Sequence, residues 1–110
     1  MEQFVKGDVV VIPFPFSDLS SIKKRPALVL ADLPGDDILL CQITSQPHNE
    51  ASVLTLTTAH FVSGSLPVSS FIRPTRIFTA DKRIIIRKAG TISHELMNNV
   101  TGSIVSLLKK

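Results

Sequence analysis

At 110 residues, with 44% hydrophobic and 19% charged side chains, the chain holds apolar material for one modest core and is too short for two domains. Its apolar runs end after four or five residues, as in Val9-Val10-Val11-Ile12, well short of the ~20 that cross a bilayer. The formal charge of +3 mildly favours a polyanionic partner through counterion release and steering, without requiring one.

Residues 1–6 carry no basic region followed by an apolar stretch, and Cys41, the one cysteine, cannot form an internal disulfide. Both features point to a reducing cytoplasm. Proline and glycine recur at short intervals from Pro13 to Gly90, the punctuation of short strands. Strands are expected near residues 8–12, 27–32, 37–44, 53–57, 70–72, 76–79 and 83–86. Pro13 and Pro15 lack amide donors, so the first strand is expected to end there and residues 16–24 to form a polar, cationic loop. Phe14 and Phe16 read as core anchors of that loop, with RNA stacking as the weaker alternative. Several strands are aliphatic without alternation, which implies burial on both faces, as in a closed barrel with something packed against it.

The covering element is the C-terminus, where Leu96, Met97, Val100, Ile104, Leu107 and Leu108 recur at helical spacing. Ser93 suits the N-cap, Ile92 and Met97 a hydrophobic staple, and Lys109 and Lys110 the negative end of the helix dipole. The expected fold is mainly β: a small barrel, residues 1–110 in one domain, with a C-terminal helix packed on it.

Three stretches offer chemistry. Lys23-Lys24-Arg25 stands directly before Pro26 and four aliphatic residues, and Pro26 restricts Arg25 to extended geometry at the mouth of a buried strand. A guanidinium held this way is a preorganised phosphate fork, although a solvated surface arginine has the same sequence. Gln42-Ile43-Thr44-Ser45-Gln46 ends a buried strand in side-chain donors that suit either phosphate oxygens or turn amides. Arg73-Pro74-Thr75-Arg76 repeats the cation-before-proline device, inside a basic run over residues 73–88 that only Asp81 opposes locally. His48, His60 and His94 stand far apart with no accompanying carboxylate pattern, so neither a metal site nor a cofactor is expected. A two-histidine ribonuclease built on His48 and His60 stays open, with solvated bystanders as the commoner role.

The ordered stretches "KGDVVVIPFPFSD", "KKRPALVL", "LLCQITSQ" and "SFIRPTRIFTADK" resemble the PemK/MazF family of toxin–antitoxin ribonucleases over almost the whole chain. That resemblance implies that the barrel is SH3-like and that the chain is a homodimeric toxin that cleaves single-stranded RNA at selected sequences without a metal and is inhibited by a cognate antitoxin. By the same resemblance the catalytic pair falls on Arg25 and Thr44; side-chain chemistry assigns Arg25, which stays protonated, to stabilising charge on the phosphorane, with protonation of the leaving group as a second role, and Thr44 to orienting the phosphate. RNA contacts fall on Lys23, Lys24, Ser45, Gln46, Arg73, Thr75 and Arg76. Where some relatives carry an acidic residue, this chain has Thr75, which cannot act as a carboxylate base.

Two alternatives come from other classes. A CcdB-like gyrase-binding toxin shares the fold, but its members end in Trp-Gly-Ile, whereas this chain ends Ser106-Leu107-Leu108-Lys109-Lys110 and has no tryptophan. A nucleic-acid or protein binding module that has lost catalysis is the other, and Thr75 keeps it open.

Overall fold

The computed structural model describes residues 3–15, 22–47 and 49–110. Among the described residues, seven strands and one α-helix follow in order: β1 (Asp8–Pro15), β2 (Ile22–Asp32), β3 (Asp37–Thr44), β4 (Leu54–Leu56), β5 (Phe61–Gly64), β6 (Ser70–Asp81), β7 (Arg87–Ile92) and α1 (His94–Leu108). All ladders are antiparallel, and the sheet runs β4-β6-β3-β2-β1-β7-β5. The sheet curls into a half-barrel whose two edge strands, β4 and β5, are not paired with each other. No described helix is long and apolar enough to cross a membrane.

The unbroken aliphatic runs are explained by two apolar clusters. Val9, Leu28, Cys41, Ile43, Leu56 and Ile72 are buried with Ile92 and with Leu96, Met97 and Val100 of α1. The alternate residues Val10, Ile12, Ala27, Val29, Ile38 and Leu40 are buried with Phe4 in a second cluster, against which Phe78 and Ile85 pack. Successive strand residues point to opposite faces, so central strands of this kind must be apolar throughout. The helix begins as its residues require: Ser93 Oγ accepts from the Leu96 amide at 3.2 Å, and Ile92 and Met97 share the first cluster.

Gly7 sits at φ +98°, outside ordinary L-residue geometry. It turns the chain into β1 while its amide donates to the Val29 carbonyl at 3.0 Å. Asp8 is 2% exposed. Its carboxylate accepts from the Val5 amide at 3.0 Å and from Thr91 Oγ1 at 2.9 Å. The Gly-Asp pair is therefore structural.

Four expectations are corrected. β1 does not stop at Pro13 but pairs through Pro15, with Phe14 opposite Lys23. The reason is parity. Val11 directs its carbonyl away from β2, to the Ile86 amide at 2.8 Å, and Pro13 and Pro15 share that orientation. Their missing N–H groups therefore face the side that β7, whose pairing with β1 ends at Val11, does not reach. Ile22, Lys23 and Lys24 consequently belong to β2 rather than to a loop; residues 16–21 of that expected loop, with Phe16, lie outside the described residues. Phe14 packs on Phe78, ring centroids 5.7 Å apart, as an anchor.

Second, β6 is one strand instead of two. Its pairing with β3 jumps from Cys41↔Ile77 to Gln42↔Arg73, so Pro74, Thr75 and Arg76 form a bulge, which accommodates a proline that has no ladder donor. Third, residues 82–84 make a 3-10 turn where a strand was expected. Fourth, β5 and β7 carry little strand signal. At Gly90 of β7 an added Cβ would lie 2.5 Å from the Ser63 carbonyl oxygen and 2.8 Å from the Phe61 ring, so the close approach of β5 requires a glycine that reads as a breaker.

Candidate active site

The β2–β3 ladder ends at Ala27↔Gln42. Arg25 and Thr44 each lie two residues beyond that pair, on neighbouring strands at one end of the sheet. The two groups are thus brought to one rim, although they are far apart in sequence.

A pocket of about 310 Å³ opens there. Lys24, Arg25 and Pro26 come from β2, Ser45 from just past β3, Ile86 and Arg87 from the start of β7, and Leu66, Val68 and Ser70 from the approach to β6. Three cations and two hydroxyl side chains thus share a wall with apolar surface, and none of the lining residues is acidic. Val68 and Ile86 are 57% and 47% exposed, open apolar faces beside the charge. Such a combination suits a nucleotide, whose base takes the apolar wall and whose phosphate takes the cations.

Thr44 is largely buried beside this pocket, and its Oγ1 accepts from the Gln46 amide at 3.1 Å. A hydroxyl whose lone pair is engaged in this way keeps its proton to donate. Lys23 and Gln46 are exposed at the same end.

Arg73, Thr75 and Arg76 stand apart, in a network across β3 and β6. Arg73 forms an ion pair with Glu50, Thr75 Oγ1 donates to Glu50 Oε2 at 2.9 Å, and Arg76 Nε donates to Gln42 Oε1 at 3.2 Å. The basic run over residues 73–88 is similarly divided. Lys82 pairs with Asp32 at 2.6 Å, Arg83 with Asp81 at 2.7 Å, and Lys88 lies 3.9 Å from Asp8. What reads as one positive patch is mostly paired with carboxylates, of which Asp8, Asp32 and Glu50 are remote in sequence, and Arg87 is the member that reaches the pocket.

Cys41 is buried and donates to the Arg73 carbonyl at 3.0 Å. Burial pushes its thiol up to about 12, against a smaller opposing pull from that hydrogen bond, so it is no nucleophile at neutral pH. His60 Nδ1 accepts from the Thr57 amide at 2.9 Å, a structural task at the 3-10 turn Thr58–His60; His48, its partner in the two-histidine alternative, lies outside the described residues. Among the described residues no group of three or more His, Cys, Asp or Glu side chains could hold a metal ion.

Sequence reasoning passed over Glu50 and the 66–68 wall, and gave Gln42 and Arg87 no individual role. Arg87 was visible as a cation and Gln42 as a polar residue inside an apolar strand. Glu50 carried no signal at all.

A family profile for the PemK-like, MazF-like toxin of type II toxin–antitoxin systems matches residues 5–108. No match is found among curated proteins. Among solved structures, MazF from Deinococcus radiodurans superposes with a TM-score of 0.78 at 22% identity, covering 100% of this chain and 100% of that one. A mycobacterial endoribonuclease in complex with its cognate antitoxin gives 0.77 at 13% identity, covering 97% and 96%. A MazE–MazF complex from Deinococcus radiodurans gives 0.76 at 22%, covering 96% and 95%. At these identities the likeness establishes the fold.

Proposed function

The chain belongs to the PemK-like, MazF-like toxins of type II toxin–antitoxin systems, and from that premise we propose that it is an endoribonuclease cutting single-stranded RNA at selected sequences without a metal. The observation that carries this reading is the rim pocket, where Lys24, Arg25 and Arg87 meet Ser45 and an apolar wall with no acidic neighbour.

RNA supplies its own nucleophile. The 2′-hydroxyl gives up its proton and its oxygen bonds to the adjacent phosphorus; the bond from phosphorus to the 5′-oxygen breaks, and that oxygen takes up a proton. The products are a 2′,3′-cyclic phosphate and a 5′-hydroxyl. The protein has to align this attack and stabilise charge on the phosphoryl oxygens. Arg25 does the second, since its guanidinium stays protonated and offers a fork to two oxygens. Thr44 orients the phosphate through the hydroxyl proton that its bond from Gln46 leaves available. Lys23, Lys24, Ser45, Gln46, Arg76 and Arg87 hold the strand on either side.

The natural setting is a homodimer in a reducing cytoplasm, restrained by a cognate antitoxin. Solved relatives described as complexes with an antitoxin support that partner. Purified protein is expected to cut an unstructured RNA panel in EDTA and leave cyclic phosphate ends, and Thr44→Ala to slow the cut. Folded protein that leaves the whole panel intact would overturn the assignment.

A further inference from the structure

The connection from β3 to β4, described at residues 45–47 and 49–53, begins at Thr44 and is held at its far end by side chains. One Glu50 carboxylate oxygen takes the ion pair from Arg73 Nη2, and the other accepts from Thr75 Oγ1. Arg73 Nη1 donates to Gln42 Oε1 at 3.4 Å, and Arg76 Nε converges on that same oxygen. Beneath them the Cys41 thiol holds the carbonyl of Arg73, so the bulge backbone is fixed from the core side. The Arg73 and Glu50 side chains are 15% and 29% exposed, which limits screening by water and salt. The connection is also tied to the helix, where Ser103 Oγ donates to the Ser52 carbonyl at 3.4 Å.

An arginine whose two terminal nitrogens both face protein acceptors is arranged to hold its neighbours, not to grip a phosphate. We propose that Arg73 and Glu50 form a clasp that positions Thr44, Ser45 and Gln46 against Arg25. Arg73 is a positioning residue, as is Glu50, and Thr75 serves the clasp instead of the RNA. The segment leaves the sheet at Thr44, opposite Phe71, and Glu50 returns it to β6 at Arg73 before β4 pairs at Leu54↔Ile72. Closing that excursion fixes Ser45, which lines the pocket with Arg25. The effect on rate rests on the RNA-cleaving reading above; the clasp itself does not.

The test uses Arg73→Gln, Arg73→Lys, Glu50→Gln and the Arg73→Gln/Glu50→Gln double variant of the full chain, with thermal melts to establish folding. Arg73→Gln and Glu50→Gln are each expected to lower kcat by on the order of 10- to 100-fold through misplacement of the reacting groups, with KM little changed. The double variant should be no slower than the worse single one, because both remove one interaction. The salt dependence of RNA affinity should keep its wild-type slope, whereas a lost phosphate contact would lower that slope by about 0.7. Amide hydrogen exchange at residues 45, 46 and 49–52 should quicken in both single variants, with β1 and β2 unaffected. Arg73→Lys keeps the charge and guards against loss of folding in the glutamine variant; exchange faster than in folded wild type is expected there too.

A lowered slope and raised KM for Arg73→Gln, with Glu50→Gln silent, would make Arg73 a phosphate ligand and overturn the proposal. Unchanged exchange at residues 45, 46 and 49–52 in folded Glu50→Gln would overturn it independently of RNA. If wild type cuts no RNA, the nuclease reading falls and the exchange measurement still decides the clasp.

Discussion

Replacing Arg25 by alanine separates attraction of the substrate from acceleration of its cleavage. Lys24, Arg25 and Arg87 share one pocket, so the pull on an RNA phosphate is spread over three cations and only part of it is lost. Affinity should fall modestly, with the slope of log affinity against log salt reduced by about 0.7. The rate should respond far more, because the fork opposite the phosphorane is a single group. One oxyanion donor is worth ~3 kcal/mol, and at about 1.4 kcal/mol per decade its loss slows cleavage by a hundredfold or more. Arg25→Lys keeps the charge and loses the planar fork, so KM should stay near wild type while kcat falls by at least roughly tenfold. A quenched fluorescent RNA read in EDTA, at several salt concentrations and beside thermal melts, measures all three quantities. Cleavage by folded Arg25→Ala within about threefold of wild type, less than 1 kcal/mol of barrier, would remove Arg25 from the reaction and with it the case for this rim as the active site.

The remaining predictions concern the scaffold. Cys41, with its thiol pushed up to about 12 by burial, should resist iodoacetamide at pH 8 in the folded protein and react once urea unfolds it; rapid labelling of the native state would contradict its placement. The hydrogen bonds from Arg83 hold Asp81 down to about 2 from an ordinary 3.8. The folded form therefore binds that proton less readily, and the contribution to stability is complete above about pH 4 and lost as pH falls toward 2. Asp81→Asn should flatten the acid limb of a denaturation profile in that window, and an unchanged limb would count against the pairing. Ser93→Ala removes the oxygen that caps the Leu96 amide and should cost about 1 kcal/mol in urea unfolding; no change in midpoint would mean that the cap is redundant with helix packing.

The pieces of this fold whose signals lie within a few residues were legible. β3 was found at its observed bounds because Ile38 to Ile43 is aliphatic enough to demand burial on both faces. α1 was found because its apolar spacing and its cap at Ser93 are local patterns. Arg25 could be singled out because Pro26 acts on the residue next to it.

Other features depended on strand neighbours that no local pattern names. Whether Pro13 and Pro15 end β1 turns on which side of the strand still has a partner, and the answer lies in where β7 begins. Pro74 reads as a break between two strands and is a bulge within one, because β3 continues on both sides of it. Arg73 and Arg76 read as free cations until Glu50 and Gln42 are folded onto them from 23 and 34 residues away. Local sequence determined the strand β3 and the helix and drew attention to Arg25 through Pro26, whereas Thr44 was marked only by the resemblance to a known family. Which charges are neutralised, and which reach the pocket, was decided by tertiary structure, since pairing energies fall off with distance in space and are indifferent to separation along the chain.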